Sequence, residues 1–292
     1  MRSADYVVLG STGMLGQALI KEIKNRGETV IGIARDRADV CIDITNDKNL
    51  LKSLDNIKFK IIINTVAIVN LLSCEENPSL SYMCNARVSA LLSRYCELHN
   101  LKYIYISTDH YFTGKMNYKH SEESPVNLCN EYARSKYLGE VLALQNNTAL
   151  VVRTNIVGFR YKENAATFIE WVIKTLEKKE KITLFNDFYT SSIDVYTFSK
   201  YLLDLAGKKL SGIINLASSE VASKQQFISA LAAKLNFSLE NATICSVHQN
   251  SNNIRRNESL GLDVNKVEKI LNRSMPTLSE VINNLTSEYS KR

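Results

Sequence analysis

Proline occurs only three times in 292 residues, so no proline-rich linker marks a domain boundary. No apolar stretch approaches the roughly 20 residues that a membrane-spanning helix needs, and a membrane partner is not expected. The apolar part of "MRSADYVVLGSTGMLG" is short and breaks on glycine, which reads as a buried strand rather than a signal peptide. The six cysteines (Cys41, Cys74, Cys84, Cys96, Cys129 and Cys245) are scattered, with no CxxC pair and no histidine at zinc spacing. Reduced thiols in a cytoplasm are the expectation, with neither a disulfide framework nor a metal site. Internal repeats and low-complexity tracts are also lacking.

What is present is the profile of a soluble globular protein, with 45% apolar and 23% charged residues. The length suits one large or two modest domains. The net charge of +6 raises the question of nucleic acid. The lysines, however, sit in segments such as "KTLEKKEK" (174–181), mixed with glutamates. That is a solvated helix face, so no nucleic acid partner is expected. A basic balance also suits small anions such as dinucleotides and sugar diphosphates.

The apolar run "YVVL" (6–9) ends on Gly10, and "MLGQALIKEIKNRG" follows with Leu15, Leu19 and Ile23 at helical spacing. "TVIGIA" (29–34), "KIIINTVA" (60–67), "LKYIYIST" (101–108) and "ALVVRT" (149–154) read as further strands. A long helix at 80–100 and the "EYARSKYLGE" helix (131–140) lie between them. Strands covered on both faces and alternating with helices predict an α/β protein, a Rossmann-type doubly wound parallel sheet. After about residue 155 the pattern loosens into four helical stretches and the strand "GIINLA" (212–217). The expected division is 1–155 plus about 194–217 for nucleotide binding. A smaller C-terminal α+β lobe, about 156–193 and 218–292, would hold substrate, with a cleft between the two at the C-terminal strand ends.

Between the first strand and first helix lies Gly10-Ser11-Thr12-Gly13-Met14-Leu15-Gly16. Gly10 permits a tight turn, Gly13 lets backbone approach a pyrophosphate, and Gly16 allows close packing of helix on strand. In that position the GxxGxxG spacing predicts a dinucleotide site; the alternative is a glycine-rich turn without a ligand. The second strand ends at Ala34 and is followed by Arg35-Asp36-Arg37. No acid stands at the strand end to hold a ribose 2′-OH, while a guanidinium fits a 2′-phosphate. NADP(H) is therefore favoured over NAD(H), unless Arg35 and Arg37 are plain loop charges and Asp36 takes the ribose. Asp43 is either an acceptor for the adenine amino group or a cap before the helix beginning near Asn46. Ile44, Val66 and Ala67 complete the candidate cofactor contacts.

Tyr132 and Lys136 stand four apart, side by side on one helix face. That spacing alone is common by chance. The strand "YIYIST" brings Ser107 and Thr108 to the C-terminal edge of the sheet about two dozen residues earlier. A hydroxyl at a strand end, then Tyr-x-x-x-Lys, on a GxxGxxG fold, resembles the short-chain dehydrogenase/reductase superfamily. Nearly the whole chain takes part, and its length suggests the extended branch. Within it, "GSTGMLGQAL", "IIINTVAIVNLLSCEENP", "ISTDHYFTG", "EYARSKYLGE" and "VVRTNIVG" are similar to motifs of the dTDP-4-dehydrorhamnose reductase type of sugar-nucleotide reductase. "RRNESLGLDVNKVEKIL" is a fainter match.

The resemblance implies a catalytic set of Thr108, Tyr132 and Lys136. A free phenol titrates at about 10, and a neighbouring ammonium together with an oxidised nicotinamide ring lowers that value. Tyr132 would protonate a carbonyl oxygen as hydride arrives, Thr108 would hold the same oxygen, and Lys136 would also hold the nicotinamide ribose. Asn85 matches a position that supports the lysine through water; otherwise it is a polar residue at a helix bend.

On the substrate side this sequence departs from the family pattern. Leu72 replaces an aspartate, Ile156 a tryptophan and His110 a tyrosine, and "NDFYTSSID" (186–194) differs throughout. Asp109, His110, Asn155, Ile156 and Arg256 are the candidate substrate residues, with Arg256 offered to a diphosphate; for His110 and Arg256 the alternative is a plain loop or surface residue. The expected activity is NAD(P)H-dependent reduction at C4 of a nucleotide-diphosphate 4-keto-6-deoxy sugar, by a protein for which a homodimer stays open. Two alternatives remain. One is a non-catalytic NADP-binding subunit, like the regulatory β subunit of methionine adenosyltransferase. The other is a sugar-nucleotide epimerase or dehydratase, although dehydratases carry Asp-Glu after the threonine where this chain has Asp109-His110.

Overall fold

The structure, a computed structural model, describes residues 2–162, 165–249 and 254–291. It divides into two compact units. The first comprises Met1–Thr108, Leu128–Arg153 and Ser199–Ile214.

Its centre is a seven-stranded sheet in the order Gly212–Asn215, Leu150–Arg153, Lys102–Ile106, Ile61–Asn64, Tyr6–Leu9, Val30–Ala34, Val40–Cys41. The pairings from Leu150–Arg153 across to Val40–Cys41 are parallel. Val7, Val8 and Leu9 are fully buried, as a strand covered on both faces requires. Sequence order reverses beside this first strand, whose neighbours are the second strand and Ile61–Asn64. Such a reversal is where doubly wound sheets bind ligands.

Strand ends are shorter than the apolar runs suggest. The run at 60–67 pairs only as Ile61–Asn64, because Asn64 turns its carboxamide onto the Val66 N–H (3.1 Å) and the Thr65 hydroxyl onto the Leu9 carbonyl (2.8 Å). The expected long helix at 80–100 is continuous but changes pitch. α-Helix Pro78–Tyr82 passes into a π-helical turn, Met83–Arg87, and then α-helix Val88–His99.

The second unit comprises Asp109–Asn127, Thr154–Phe198 and Asn215–Arg292. Residues 109–127, which strand–helix alternation alone puts with the sheet domain, group here because Lys119–His120 pairs with Gly261–Leu262. The helix expected from "VYTFSKYLLDLAG" forms as Val195–Ala206. The core of this unit joins helices Phe168–Glu177, Lys224–Leu235 and Leu278–Tyr289 through Val172, Phe227, Leu231, Val281 and Leu285. Each of these helices opens on a capping box, Thr167/Glu170, Ser223/Gln226 and Thr277/Glu280, which satisfies two end N–H groups reciprocally.

Candidate active site

The glycine turn is shaped by packing at two of its glycines. Gly10 has φ +86° and a Cβ there would meet the Thr65 hydroxyl at 2.5 Å. A Cβ on Gly16 would stand 2.2 Å from the Gly10 carbonyl oxygen, so helix and strand could not close. Gly13 is different: its nearest neighbour would be the Gly10 carbonyl oxygen, at 3.2 Å. It is the N-cap of helix Met14–Asn25, and no side chain caps that end. The first-turn N–H groups of Met14, Leu15 and Gly16 have no helical acceptor, and a phosphate fits them. The Thr12 carbonyl accepts from Gln17 Nε2 at 3.0 Å, which fixes the turn's outer wall. The donor set and the small residues fit a dinucleotide.

Arg35, Asp36 and Arg37 are exposed. Asp43 accepts from the Thr45 N–H (2.9 Å) and hydroxyl (2.8 Å). These bonds, with the Arg35 charge nearby, hold its carboxyl below its ordinary value. Asp43 thus makes a turn, while Asn46 caps helix Asp47–Asp55. The Ile44 side chain is buried in the core, so what it can offer a cofactor is backbone. Val66 and Ala67 are half-buried in the segment after the fourth strand.

Asn85 sits on the π-helical turn and is fully buried. Its Oδ1 accepts from the Ile68 N–H at 2.8 Å, and its Nδ2 donates to the Ile68 carbonyl (3.1 Å) and the Ser135 hydroxyl (2.9 Å). Both amide hydrogens are spent. Asn85 therefore fastens the Val66–Ile68 segment to the Tyr132 helix. π-Turns recur at functional sites because they re-aim side chains.

Helix Glu131–Ala143 starts on Asn130, whose side chain accepts from the Ala133 N–H. Its buried face holds Tyr132, Lys136, Gly139 and Glu140, two of them charged where amphipathic logic expects apolar residues. The Lys136 ammonium is 2% exposed. It donates to the Ile106 carbonyl at 2.7 Å and stands 4.2 Å from the Tyr105 ring centroid. Burial brings it down to about 7, with Glu140 pulling the other way. Ile106 is the last residue of the strand that leads through Ser107 to Thr108, so Lys136 is moored at that strand's C-terminal edge. Tyr132 and Thr108 are both buried, at 7% and 4% exposure.

Several residues that hold this arrangement escaped sequence reasoning. Glu140 receives the Arg153 guanidinium through Nε at 3.2 and 3.1 Å and through Nη2, and it accepts from the Ser107 hydroxyl at 2.9 Å. The pair is almost wholly buried and ties the helix to two strand ends. A Cβ on Gly139 would lie 2.1 Å from the Asn85 carbonyl oxygen. Tyr105 donates to that same carbonyl at 2.9 Å. The "KYLGE" stretch carries the signal, a glycine and a glutamate one turn beyond Lys136 on the same helix.

In the second unit Asp109 is fully buried. Its Oδ2 accepts from Asn155 Nδ2 at 2.8 Å, and its Oδ1 lies 4.0 Å from His110 Nε2. Burial, then the charges of Lys224 and Arg256, push the His110 imidazole down to about 4, so it is neutral near pH 7. Burial also lowers Arg256. Asp109, His110, Asn155 and Arg256 therefore share one neighbourhood, with Lys224 added. Ile156 lies next to Asn155, in a two-residue strand paired with Ile193–Asp194. Leu72, in the first unit, is 53% exposed on helix Leu71–Glu76.

The sheet order and the glycine turn define a Rossmann-like protein of the extended short-chain dehydrogenase/reductase kind. Residues 5–291 match the family described as RmlD substrate binding domain, and the chain belongs to that family. It is similar to the probable low-salt glycan biosynthesis reductase Agl14 of Haloferax volcanii, 25% identical over 295 residues and 97% of each chain. It is also similar to methionine adenosyltransferase 2 subunit beta of Xenopus laevis, 25% identical over 240 residues, 79% of this chain and 72% of that one. Two solved structures share the fold. One is dTDP-4-dehydrorhamnose reductase from Bacillus anthracis in complex with NADP, with a TM-score of 0.88, 22% identity and coverage of 99% of this chain and 100% of that one. The other is MoeE5 in complex with UDP-glucuronic acid and NAD, with a TM-score of 0.82, 18% identity and coverage of 98% and 99%. Among the described residues no helix is long and apolar enough to cross a membrane.

Proposed function

We propose that the protein is an NADP(H)-dependent reductase of a nucleotide-diphosphate 4-keto-6-deoxy sugar, acting at C4 with Tyr132 as the acid. The observation that carries this reading is the buried Lys136 ammonium, moored to the Ile106 carbonyl one helical turn from Tyr132 and two residues before Thr108. An ionisable amine kept out of water at such cost points to function. The glycine turn would hold the pyrophosphate, Arg35 the 2′-phosphate, and Lys136 the nicotinamide ribose. A bound reduced nicotinamide supplies the hydride. Thr108 donates a hydrogen bond to the substrate carbonyl oxygen, and Tyr132 gives it a proton. Lys136 offsets negative charge left on the phenol. The neutral His110 and the Lys224 and Arg256 charges suit a polar, anionic substrate.

The similarity to a methionine adenosyltransferase subunit favours a second reading, an NADP-binding subunit without turnover. One experiment separates the two. The purified protein is given NADPH and a panel of 4-keto-6-deoxy sugar nucleotides with dTDP, UDP, GDP and CDP ends, and absorbance at the nicotinamide band is followed. Turnover of at least one is expected, with dTDP-4-dehydrorhamnose poor because Ile156, His110 and the 186–194 segment reshape the sugar side. NADPH binding with no turnover of any member would overturn the reductase reading in favour of the second.

A further inference from the structure

In the second unit one ammonium and one carboxylate are joined by a chain of hydrogen bonds whose direction is fixed at both ends. Lys224 Nζ lies 3.5 Å from Thr190 Oγ1, Thr190 Oγ1 lies 2.9 Å from Ser192 Oγ, Ser192 Oγ lies 2.8 Å from Asn155 Oδ1, and Asn155 Nδ2 lies 2.8 Å from Asp109 Oδ2. An ionised carboxylate only accepts, so Asn155 turns its amide nitrogen to Asp109 and its oxygen to Ser192. An amide oxygen only accepts, so Ser192 donates to it. The single Ser192 proton is then used, so Thr190 donates to Ser192, and its own oxygen accepts from Lys224. Every proton points from the lysine toward the aspartate.

The ends of the chain are built with the same care. The Lys224 ammonium stands 4.6 Å from the Phe168 ring centroid and 5.9 Å from those of Phe188 and Phe227, ring faces that attract a cation, while burial lowers its pKa to about 8 against the upward pull of the Asp109 charge. Thr190, Ser192 and Asp109 are 2%, 4% and 0% exposed. At the other end, Asp109 Oδ1 is the oxygen turned to His110. The four segments involved share no sequence motif.

We propose that Lys224 is a positioning residue which, through Thr190, Ser192 and Asn155, holds the Asp109 carboxylate as the acceptor for a hydroxyl of the sugar substrate. This rests on the sugar-nucleotide reading above. Asp109 follows Thr108 directly, so an acceptor set there discriminates among sugar hydroxyl configurations. Hydrogen-bonding sites do this steeply, since a mismatched partner leaves a buried polar group unpaired.

The test uses the full chain with NADPH bound, as wild type, Lys224→Met, Lys224→Arg, Ser192→Ala and the Lys224→Met/Ser192→Ala double variant. Exchange of the Asn155 side-chain amide protons is read by NMR without substrate. KM and kcat are read with the 4-keto-6-deoxy sugar nucleotide that wild type turns over best. Expected are faster Asn155 exchange in Lys224→Met and in Ser192→Ala and a rise in KM of about tenfold or more. Changes in kcat should be smaller, the double variant should be no worse than the poorer single, and Lys224→Arg should recover part of the loss. Unchanged Asn155 exchange in both single variants overturns the chain itself. Altered exchange with unchanged KM overturns the role of Asp109 toward substrate. Altered exchange in a protein whose wild type turns over no sugar nucleotide overturns the reductase reading and, with it, the substrate role, while the chain stands as a structural feature.

Discussion

The two units differ in how their candidate site residues are held in a buried place. In the first, the candidate side chains hang from regular elements at their ends: the turn after Tyr6–Leu9, the end of Lys102–Ile106 and the first turns of Glu131–Ala143. Their partners include backbone atoms, such as Ile106 O for Lys136 and Ile68 N and O for Asn85, with Glu140 and Arg153 paired behind them. In the second, Asp109, Asn155, Thr190, Ser192 and Lys224 come from separate segments and bind one another through side chains. Backbone partners survive most substitutions, whereas side-chain partners change with them. The first unit can keep its geometry while side chains in the second change. The departures from the family pattern at His110, Ile156 and 186–194 fall in the second unit, as this contrast requires; Leu72, in the first, is an exposed exception.

The contrast can be broken most sharply at Tyr132. Tyr132→Phe should lower the reduction rate by ~100- to 10,000-fold and leave NADPH affinity near wild type, because the phenol hydroxyl is lost and the glycine turn is untouched. Steady-state rates and fluorescence titration of NADPH check this, and near-normal turnover would remove Tyr132 from the chemistry.

Next in size is the buried pair behind the helix. Arg153→Met leaves the buried Glu140 with the Ser107 hydroxyl and the more distant Lys136 charge in place of the guanidinium. A loss of roughly 3–5 kcal/mol in unfolding free energy is expected, measured by urea denaturation. A loss below about 1 kcal/mol would mean that the pair does not hold the first unit together.

Arg35→Ala tests the cofactor end at smaller scale. Arg35 is exposed, so its contact with a 2′-phosphate is worth about 1.5 kcal/mol, the low end for a charged hydrogen bond. NADPH should weaken about tenfold and NADH hardly at all. An equal effect on both cofactors would take Arg35 out of the phosphate site.

The smallest effect belongs to the second unit and concerns pH. His110 titrates at about 4 in the folded chain against an ordinary 6.5. Between those values the unfolded chain binds the proton and the folded chain does not, so stability falls as pH drops from about 6.5 to about 4. His110→Asn should flatten that part of the stability profile in urea titrations at stepped pH. An unchanged slope would place the acid sensitivity elsewhere.

Much of the first unit was legible in the residues because local rules and the tertiary fold agree there. Period and apolar runs placed the strands, and Gly10, Gly13 and Gly16 marked the turn. Tyr132 and Lys136 are four apart, which fixes their helix face wherever the helix lies. What the sequence could not reveal is which polar residues become partners. Glu140 and Arg153 are 13 positions apart, Asn85 and Ser135 are 50 apart, and Lys224 and Asp109 are more than a hundred apart. Their meeting depends on sheet order and on close approaches such as Gly139 against the Asn85 carbonyl, neither of which is encoded locally. The pitch change at Met83–Arg87 is of the same kind. So the sequence by itself determined the elements, the glycine turn and the shared helix face of Tyr132 and Lys136, because these follow from short-range spacing. The tertiary structure alone decided the role of Asn85, the buried Glu140–Arg153 tie and the Lys224-to-Asp109 chain, because each needs side chains distant in sequence to share one desolvated place where unpaired polar groups are costly.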